Sequence, residues 1–510
     1  MEKIVTKEQF KTQIRPVLKD KGLSIALCHG VFDLVHPGHI IHFEKAKEMA
    51  DVLVVSITSS KYVRKGPGRP YFDDGLRLKF LSAIEAIDYV MLSETFTVDD
   101  IIEAVKPDVY VKGEEYREES DDITGMIAKE RKMVEAYGGC IGFTSGQTFS
   151  STKLINVAMS GLSDEALSFM KKFRKEHTIS ELKGYADKAR DLKILVVGDV
   201  IIDRYTYCQV QGIMSKDMGY SARHKGTEEY LGGAVAVARH LATFSGQVTL
   251  MSMIGNEEEM RLLLFDRVGD LMSLKLLSSE KFPTIVKHRY LMKNQKREEY
   301  RKIFAINNIP ERMRYTESDY KKFISRLSDQ VAEYDAVYVC DFGHGLINKD
   351  IIKIIEENAK FMVLNCQANS SNKGMNVITK YHRADFFALD QTELKLAYPD
   401  DLMEEADALH RLYKHLGGMG ILTKGAEGAC GIEGDRTVSC PAFTLRVKDT
   451  VGAGDAFFAV AGIYAALGAP IDVATVIGNV GGALGANIVG NKEPVEKVNV
   501  LKFVNTLMNV

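Results

Sequence analysis

In Asp449-Thr-Val-Gly-Ala-Gly-Asp-Ala-Phe-Phe458, three small residues and an aspartate precede an apolar run that predicts a helix. Glycines allow a tight turn and the close approach of an oxygen-rich ligand, and the first amides of a helix attract anions. Asp455 could take a proton from a hydroxyl while Gly452, Ala453 and Gly454 hold the charge of a phosphoryl group. A glycine-rich turn with an aspartate N-cap is the alternative that the short pattern leaves open.

The full string resembles the signature of ribokinase-like (PfkB) sugar kinases, which implies phosphoryl transfer from ATP with Asp455 as the base. Asp203 matches an aspartate that binds sugar hydroxyls in that family, although the local pattern also fits a surface residue after a strand. Gly232 and Gly233 match a sugar-binding turn. Ala236 stands where the family carries asparagine, so one polar contact to the sugar should be missing.

Three further residues of the second half are assigned to the substrate. Lys287 and Arg289 lie two apart on a predicted strand and therefore share one face. They resemble the basic pair that binds substrate phosphate in heptose-phosphate kinases, and a strand with a solvated basic face is the alternative. Asp341 follows a predicted buried strand and is expected to line the same site.

The metal and ATP positions rest on shorter patterns. Asp390-x-x-Glu393 is similar to a family element that holds water around Mg²⁺, and a solvated helix start is the alternative. Asn365 stands where related kinases carry aspartate, which is a second departure. Asn487 is a candidate for the border of the adenine. The resemblance also assigns to the ATP side a strand turn that contains Thr423, Gly425 and Gly428.

The first half opens with a predicted strand that ends in His29-Gly-Val-Phe-Asp-Leu-Val-His-Pro-Gly-His39, followed by a helical pattern. His36 and His39 are three apart at the mouth of this helix, so both imidazoles can face one ligand. Two imidazoles at a helix N-terminus suit a triphosphate. Two surface histidines around a Pro-Gly turn are one alternative. A zinc pair is another, although no cysteine or carboxylate cluster nearby supports it.

Alternating strands and helices in this half predict a parallel sheet with ligands at the carboxyl ends of the strands. Four strings, GxFDxxHxGH, K-G-x-x-R-P, V-K-G-x-x-Y and S-S-T, resemble the cytidylyltransferase-like nucleotidyltransferases in order and spacing. The resemblance places His36 and His39 on the triphosphate, gives Asp33 the support of the loop, and assigns Lys65 to the phosphates or the phosphosugar. Taken singly, such lysines also fit solvated surface charge. The remaining residues that it assigns to the nucleotide are Gly30, Phe32, Lys112, Gly113, Ser151 and Thr152.

The reaction implied for this half is attack by a sugar or polyol phosphate on the α-phosphorus of a nucleoside triphosphate, with displacement of pyrophosphate. Mg²⁺ would bridge the phosphates, because little else in the sequence can neutralise so much charge. No residue distinguishes ATP from CTP as the nucleotide of this half.

Length and composition predict the domain organisation and exclude several classes of protein. The 510 residues are too many for one ordinary core, and we expect a nucleotidyltransferase domain over 1–159, a helical connector over 160–190 and a kinase domain over 191–510. A formal net charge of -3 offers no basic excess for nucleic acid. Seven scattered cysteines without a C-x-x-C pair, and no apolar run of signal-peptide or membrane-spanning character, predict a cytoplasmic protein without a membrane partner.

Together the halves resemble the bifunctional heptose 7-phosphate kinase/heptose 1-phosphate nucleotidyltransferase enzymes, in which the kinase usually comes first. The expected fold is α/β: a Rossmann-like nucleotidyltransferase sheet, then a ribokinase-like α/β/α domain with a small β lid within residues 205–231 and 283–306. Such lids often pair, so a homodimer is expected. The alternative is a nucleotidyltransferase for another sugar or polyol phosphate, whose kinase-like half senses sugar or dimerises.

Overall fold

The protein forms two compact units, one of Met1–Ser163 with Leu501–Val510 and one of Asp164–Val500. The structure, a computed structural model, describes residues 3–63, 70–114, 127–144, 162–214, 216, 219–293, 300–309, 315–369, 372, 374–400, 402–443 and 447–509.

The first unit alternates strands and helices, as the hydrophobic pattern predicts. Its first helical segment contains a π-helical turn, Phe10–Ile14, between two short α-helices. The α-helices and strands are α1 (Lys7–Gln9), α2 (Arg15–Asp20), β1 (Ile25–Gly30), α3 (Pro37–Glu48), β2 (Val52–Thr58), α4 (Asp74–Ser82), β3 (Tyr89–Ser93), α5 (Asp99–Val105), β4 (Val109–Gly113), α6 (Ile127–Ala136) and β5 (Cys140–Thr144).

The sheet of this unit is parallel throughout and has the order β3-β2-β1-β4-β5. Side chains of the central strand β1 alternate between two cores: Ile25 and Leu27 pack in one with Phe10, and Ala26 packs in the other with Phe43. The chain order reverses between β1 and β4, which is where a sheet of this kind binds ligands. The loop after β1 is therefore at the expected site.

The second unit opens with two helices and continues with strands and helices in alternation. Its elements are α7 (Asp164–Glu176), α8 (Ile179–Lys188), β6 (Lys193–Gly198), β7 (Val200–Ile213), β8 (Tyr220–Gly233), α9 (Ala234–Ala242), β9 (Gln247–Gly255), α10 (Glu258–Val268), β10 (Ser273–Ser279), β11 (Ile285–Lys293), β12 (Tyr300–Asn308), α11 (Glu317–Ser328), β13 (Ala336–Asp341), α12 (Lys349–Asn358), β14 (Met362–Cys366), β15 (Phe386–Asp390), α13 (Gln391–Ala397), α14 (Glu405–Leu416), β16 (Met419–Thr423), β17 (Ala429–Glu433), β18 (Arg436–Cys440), α15 (Ala453–Ala466) and α16 (Ile471–Gly485). The last helix of the chain, α17 (Lys497–Met508), begins in this unit, and its residues from Leu501 onward belong to the first unit.

The larger sheet of this unit has nine strands in the order β10-β9-β6-β13-β14-β15-β16-β17-β18. Strands from β10 to β16 run parallel, and β17 and β18 are antiparallel additions at one edge. The chain order reverses between β6 and β13, so a crevice is expected at the carboxyl ends of these strands. The predicted α/β class is confirmed.

A second sheet of four strands, β12-β11-β7-β8, forms the lid. β7 and β8 make a long antiparallel pair, and β11 runs parallel to β7 with Lys287 opposite Asp203. The small β lid expected within residues 205–231 and 283–306 is therefore present, and its strands extend a few residues beyond those bounds, to Val200, Gly233 and Asn308.

The helices α7 and α8 occupy the segment predicted as a connector and are tied to the second unit. His177, which lies between them, has Nε2 2.9 Å from Oδ2 of Asp472 on α16. The Tyr464 hydroxyl of α15 donates to the Leu182 carbonyl at 3.0 Å. Side chains of α15 and α16 thus hold both helices.

The glycine- and alanine-rich helices α15 and α16 pack closely. A Cβ on Gly478 would lie 2.8 Å from the Phe457 ring, and one on Gly485 would lie 3.0 Å from the Ala456 Cβ. The close contact is possible because these positions lack side chains. Across the described part of the chain, none of the helices has the length and apolarity needed to cross a bilayer.

Candidate active sites

In the first unit, hydrogen bonds to Asp33 fix the loop between β1 and α3. The Asp33 side chain is buried, and its Oδ1 accepts the amide protons of Tyr71 and Phe72 at 2.7 and 3.0 Å. Phe32 has a positive φ of 43°, and its ring lies 3.0 Å from the point that a Cβ on Gly30 would occupy. Gly30 therefore leaves room for the Phe32 ring, and Asp33 joins this loop to the segment before α4.

His36 and His39 lie together at the N-terminus of α3. His36 is the N-cap, and its Nδ1 accepts the Gly38 amide at 3.1 Å. The His36 amide in turn lies 3.3 Å from Nδ1 of His39, and the two ring centroids are 4.0 Å apart. Because Nδ1 of each ring is an acceptor, each neutral imidazole carries its proton on Nε2 and can donate it to an anion.

Burial favours the neutral imidazole at two histidines of this helix, His36 and His42. It lowers the pKa of His36. Burial and then the charge of Lys112 lower the pKa of His42 to about 4. His42 lies one turn further along α3, with Nδ1 2.7 Å from Oγ1 of Thr144 at the end of β5. The site would therefore attract an anion through N–H donors and lysine charge, not through imidazolium charge.

Lys112 and Gly113 end β4 at the same edge of the sheet. The Lys112 ammonium is 2.8 Å from Glu130, with 15% of the lysine side chain exposed, and 4.7 Å from the Tyr110 ring centroid. The structure thus brings Lys112 beside the end of β1, but in an ion pair. The other residues assigned to this site lie outside the described residues: Lys65, Ser151 and Thr152.

Arg77 of α4 connects this helix to the loop between β1 and α3. Its side chain is 1% exposed and donates to the carbonyl oxygens of Val31, Thr58 and Phe72 at 2.7, 2.9 and 3.1 Å. Its Nη2 is also 2.6 Å from Asp74. One buried guanidinium therefore holds three backbone segments around the site.

Replacing Arg77 by leucine is expected to loosen the first unit. Several buried acceptors would lose their donor, which costs about 3–5 kcal/mol. Hydrogen exchange of the β1 and β2 amides should then accelerate by about 100-fold or more. Lys79→Leu, at an exposed position of the same helix, is the control and should leave exchange unchanged. Equal protection in the wild type and in Arg77→Leu would contradict this role.

In the second unit, Asp455 lies in the first turn of α15. Gly452 is the N-cap, with a φ of 83°, and Asp455 is the third helical residue. A Cβ on Gly452 would lie 1.6 Å from Oδ1 of Asn491. Asp449 accepts the Gly490 amide at 3.0 Å and so closes the turn. The aspartate N-cap left open by the sequence is therefore excluded, and the first amides of α15 point out at the same end as Asp455.

Gly452→Ala is expected to destabilise this turn, because alanine would adopt a left-handed conformation and collide with Asn491. We expect a loss of about 2 kcal/mol or more in the free energy of unfolding of this unit, seen as a lower midpoint in thermal unfolding. Gly454→Ala is the matched control, since a Cβ there meets nothing within 4 Å. An unchanged midpoint for Gly452→Ala would show that the turn can rearrange.

The Asp455 carboxylate lies among three polar side chains. Its Oδ1 accepts a hydrogen bond from Nε2 of Gln367 at 2.9 Å. Burial raises the pKa of Asp455 to about 6; the Gln367 bond and the charge of Lys287 oppose this shift, and Asp203 adds to it. A carboxyl group that titrates near neutrality is suited to accept a proton from a hydroxyl.

The lid brings Asp203, Lys287 and Arg289 together. Asp203 of β7 lies opposite Lys287 of β11 and forms an ion pair with Nη1 of Arg289. A Cβ on Gly232 would lie 2.5 Å from Oδ2 of Asp203, and Gly233 has a positive φ of 61°. These glycines therefore make space for the carboxylate and for the turn into α9.

Asp341 faces inward, although the sequence assigned it to the substrate. Its side chain is 1% exposed and is held by the Lys380 ammonium at 2.5 Å and the Tyr381 hydroxyl at 2.6 Å. It anchors the end of β13.

Asp199, at the end of β6, accepts the His344 amide at 3.2 Å. Burial and the nearby Asp341 raise the pKa of Asp199 to about 7.

Asp390 and Glu393 form a capping box at the start of α13. Each carboxylate accepts the other residue's amide proton, at 2.8 and 2.9 Å, and Glu393 also accepts the Ala368 amide at 3.1 Å. Burial and then the charge of Asp390 raise the pKa of Glu393 to about 8. Asp390 ends β15 and Glu393 follows in the first turn of α13, at the carboxyl edge of the nine-stranded sheet.

The residues assigned to the ATP side lie at two places. Thr423 ends β16, and the turn after it contains Gly425 and Gly428, with φ values of 57° and 100°. A Cβ on Gly428 would lie 2.1 Å from a backbone oxygen. Asn487 follows α16, and its amide donates to a carbonyl one turn earlier at 3.0 Å. The structure thus places the turn at the carboxyl edge of the sheet and directs the Asn487 amide onto its own helix.

Each unit contains a region that matches a known protein family. Residues 191–493, more than half of the chain, match the pfkB family of carbohydrate kinases. The chain belongs to the pfkB family. Residues 27–157 match the cytidylyltransferase-like family. The pfkB domain therefore follows the cytidylyltransferase-like domain, which confirms the predicted order.

Two curated relatives are each named Bifunctional protein HldE. The one from Trichlorobacter lovleyi is 33% identical over 166 residues, 32% of this chain and 32% of the relative. The one from Geobacter metallireducens is 37% identical over 152 residues, 29% of each. The chain thus spans about a third of the length of these curated relatives. The crystal structure of phosphofructokinase-2 from Escherichia coli in complex with potassium shares the fold of the pfkB domain, with a TM-score of 0.50 at 12% identity over 62% of this chain and 99% of that one.

In the pfkB domain, both departures from the family pattern are buried. Ala236 is 2% exposed on α9, and its methyl group cannot make the polar contact that asparagine would make. Asn365 donates to the Ala388 carbonyl at 3.0 Å and joins β14 to β15. Two residues later, Gln367 contacts Asp455. Sequence reasoning gave Gln367 no role, because an uncharged amide outside a motif carries no signal.

Proposed function

We propose that this chain is a bifunctional sugar-activating enzyme. The pfkB domain phosphorylates a sugar or a heptose 7-phosphate-like sugar phosphate with ATP. The cytidylyltransferase-like domain transfers a nucleotidyl group to a sugar 1-phosphate and releases pyrophosphate. The observation that carries the proposal is that each of the two units sets polar side chains at the mouth of a helix: Asp455 at α15, and His36 with His39 at α3.

In the kinase half, Asp455 takes the proton of a sugar hydroxyl as its oxygen attacks the γ-phosphorus of ATP and ADP leaves. The amides of residues 452–454 stabilise the phosphoryl charge. Asp203 binds a sugar hydroxyl beside Gly232 and Gly233. Arg289 uses one of its five N–H donors on Asp203, so the others can bind a substrate phosphate together with Lys287.

The oxygen donors of Asp390 and Glu393 fit Mg²⁺. The raised pKa of Glu393 indicates a buried carboxylate that a cation would stabilise. Since backbone amides already use part of each carboxylate, the pair would hold the ion through its waters. When bound, Mg²⁺ supplies countercharge to the phosphates of ATP. The turn that contains Thr423, Gly425 and Gly428, with Asn487, would border the nucleotide.

In the nucleotidyltransferase half, Nε2–H of His36 and of His39 would bind triphosphate oxygens. A sugar phosphate attacks the α-phosphorus and pyrophosphate leaves, so these donors stabilise negative charge on the transferring and leaving groups. Lys112 adds positive charge beside Gly113. The nucleotide is ATP or CTP, with Mg²⁺ on its phosphates. The other residues proposed for this site are Gly30, Phe32, Asp33, Lys65, Ser151 and Thr152.

We further propose a homodimer formed through the lid, in the cytoplasm. Three large apolar side chains of the lid strands, Tyr220, Phe304 and Ile306, are exposed by 66%, 50% and 55%, which supports an interface there. All seven cysteines are free, as expected in a reducing compartment. If the substrate is a heptose 7-phosphate, a phosphatase acting in trans must remove one phosphate between the two steps.

Ala236 favours one alternative. Without the polar group that the family carries there, the kinase-like half could bind sugar without phosphorylating it. It would then serve a nucleotidyltransferase for another sugar or polyol phosphate as a sensing or dimerising module. Retention of Asp455 and its helix mouth favours the catalytic proposal.

Mass spectrometry of the products tests the proposal. The protein is incubated with ATP, CTP and a panel of sugar and polyol phosphates, including heptose phosphates. A mass gain of one phosphoryl group and a separate gain of one nucleotidyl group are expected. A nucleotidyl product alone would support the alternative, and neither product from the panel would contradict both assignments.

A further inference from the structure

The hydrogen bond between Gln367 and Asp455 gives the two oxygens of the Asp455 carboxylate different surroundings. Nε2 of Gln367 donates to Oδ1 at 2.9 Å. Among the described residues, this bond to Oδ1 is the hydrogen bond that the structure gives the Asp455 carboxylate, and Oδ2 accepts none. One oxygen is therefore held, and the other is left for a proton donor.

The main chain of Gln367 is held on both sides, which fixes the point from which its side chain reaches Asp455. Its amide donates to the Asp341 carbonyl at 2.8 Å, and its carbonyl accepts Nδ2 of Asn376 at 3.0 Å. Lys380 and Tyr381 in turn hold the buried Asp341 carboxylate. The buried cluster around Asp341 thus holds the main chain of Gln367 in place.

Charged groups reach Asp455 from several elements. Asp203 of β7 and Glu393 of α13 add negative charge, and Lys287 of β11 adds positive charge. The negative charge of Asp455 also contributes to the raised pKa of the buried Cys340 thiol on β13. Among the influences that favour the ionised carboxylate, the Gln367 hydrogen bond is larger than the charge of Lys287. The neutral amide thus offsets part of the pKa rise that burial causes at Asp455. It does so without adding a positive charge that would itself attract the phosphate.

We propose that Gln367 is a positioning residue for Asp455: its amide holds Oδ1, so that Oδ2 faces the hydroxyl of the substrate. The inference rests on the proposed kinase function. In the step that it serves, the hydroxyl proton passes to Oδ2 of Asp455. The sugar oxygen forms a bond to the γ-phosphorus, and the bond between that phosphorus and the β–γ bridging oxygen breaks, with its electron pair leaving on ADP.

A substitution series at Gln367 tests the assignment through kcat, KM and the acidic limb of the pH profile. Gln367→Ala removes a hydrogen bond to a charged group and should lower kcat about 10- to 100-fold with little change in KM. The wild-type limb should lie near the pKa of Asp455, about 6. Loss of the bond raises that pKa, so the limb moves to higher pH. Among the variants, the acidic limb should lie at the highest pH in Gln367→Glu, at an intermediate pH in Gln367→Ala and at the lowest pH in Gln367→Lys.

Asn358→Ala is the control, because Asn358 is an exposed amide on α12 whose side chain donates to the Ile354 carbonyl of its own helix; it should behave as the wild type. A direct titration of the Asp455 carboxyl by ¹³C NMR, assigned with Asp455→Asn, removes the dependence on turnover. The pKa of the Asp455 carboxyl should again be highest in Gln367→Glu, intermediate in Gln367→Ala and lowest in Gln367→Lys. If the wild type phosphorylates no sugar, the proposed function fails, and the NMR titration still decides this inference. An identical Asp455 titration in all four proteins, or an unchanged kcat in Gln367→Ala, would overturn it.

Discussion

Asp455→Asn is expected to lower ATP-dependent sugar phosphorylation by about 10²–10⁴-fold while leaving pyrophosphate release by the other unit unchanged. Asparagine has nearly the same shape as aspartate but cannot accept the proton of the hydroxyl. The turn at Gly452 and the packing of α15 do not depend on the carboxylate, so the fold should persist. The measurement is initial-rate ATP consumption with the sugar that the product analysis identifies.

The control for this variant is the nucleotidyl transfer of the same preparation. Normal pyrophosphate release would show that the first unit is intact, and an unchanged thermal midpoint of the second unit would show that the loss is local. If phosphorylation proceeded at the wild-type rate in Asp455→Asn, Asp455 would not be the base, and the kinase assignment would lose its main support. If both activities fell together, the substitution would have damaged the protein more broadly.

His39→Asn is expected to lower pyrophosphate release by about 10²–10³-fold, with sugar phosphorylation unchanged. The asparagine Oδ1 can still accept the His36 amide, as Nδ1 of His39 does in the wild type. What is lost is Nε2–H, the donor proposed to stabilise charge on the triphosphate. His39→Ala removes both interactions, and any further loss in it reports the contribution of the helix cap.

Unchanged pyrophosphate release in both His39 variants would contradict a role for this imidazole. A neutral His36 also predicts that the rate does not rise on acidification, since burial lowers the pKa of this imidazole. This distinguishes donation by neutral imidazole from attraction by imidazolium.

The backbone elements that carry both sites could be predicted from local sequence patterns. The DTVGAGDAFF string places Asp455 in the first turn of a helix because small residues and the apolar run fix the turn and the helix locally. The alternation of strands and helices predicts the parallel sheet of the first unit, and the reversal of strand order then puts the loop with His36 and His39 at its ligand edge.

Contacts between residues far apart in the sequence could not be predicted in this way. Gln367 and Asp455 are 88 positions apart and meet only because β14 and α15 share one edge of the sheet. Arg77 has no motif of its own, and its donors reach Val31 only in the folded unit. Asp341 lies at the end of a buried strand, as a ligand-binding aspartate would. Its carboxylate is nevertheless buried in an ion pair with Lys380.

Short patterns also allow two functions, and only geometry separates them. Asp390-x-x-Glu393 fits both a metal-linked element and a helix cap, and the structure shows the cap directly. The capping hydrogen bonds leave room for water-mediated contact with Mg²⁺ but not for both carboxylates to ligate the ion fully. The role in metal binding therefore stays a prediction.

The most direct test of two independent phosphate-handling sites in one chain is a ³¹P NMR time course of one mixture of ATP, CTP and the substrates identified by mass. The wild type should produce ADP with a sugar phosphate, and pyrophosphate with a nucleotidyl sugar. Asp455→Asn should lose only the first pair of signals and His39→Asn only the second. Loss of both pairs in either variant, or of neither pair in both variants, would contradict the account.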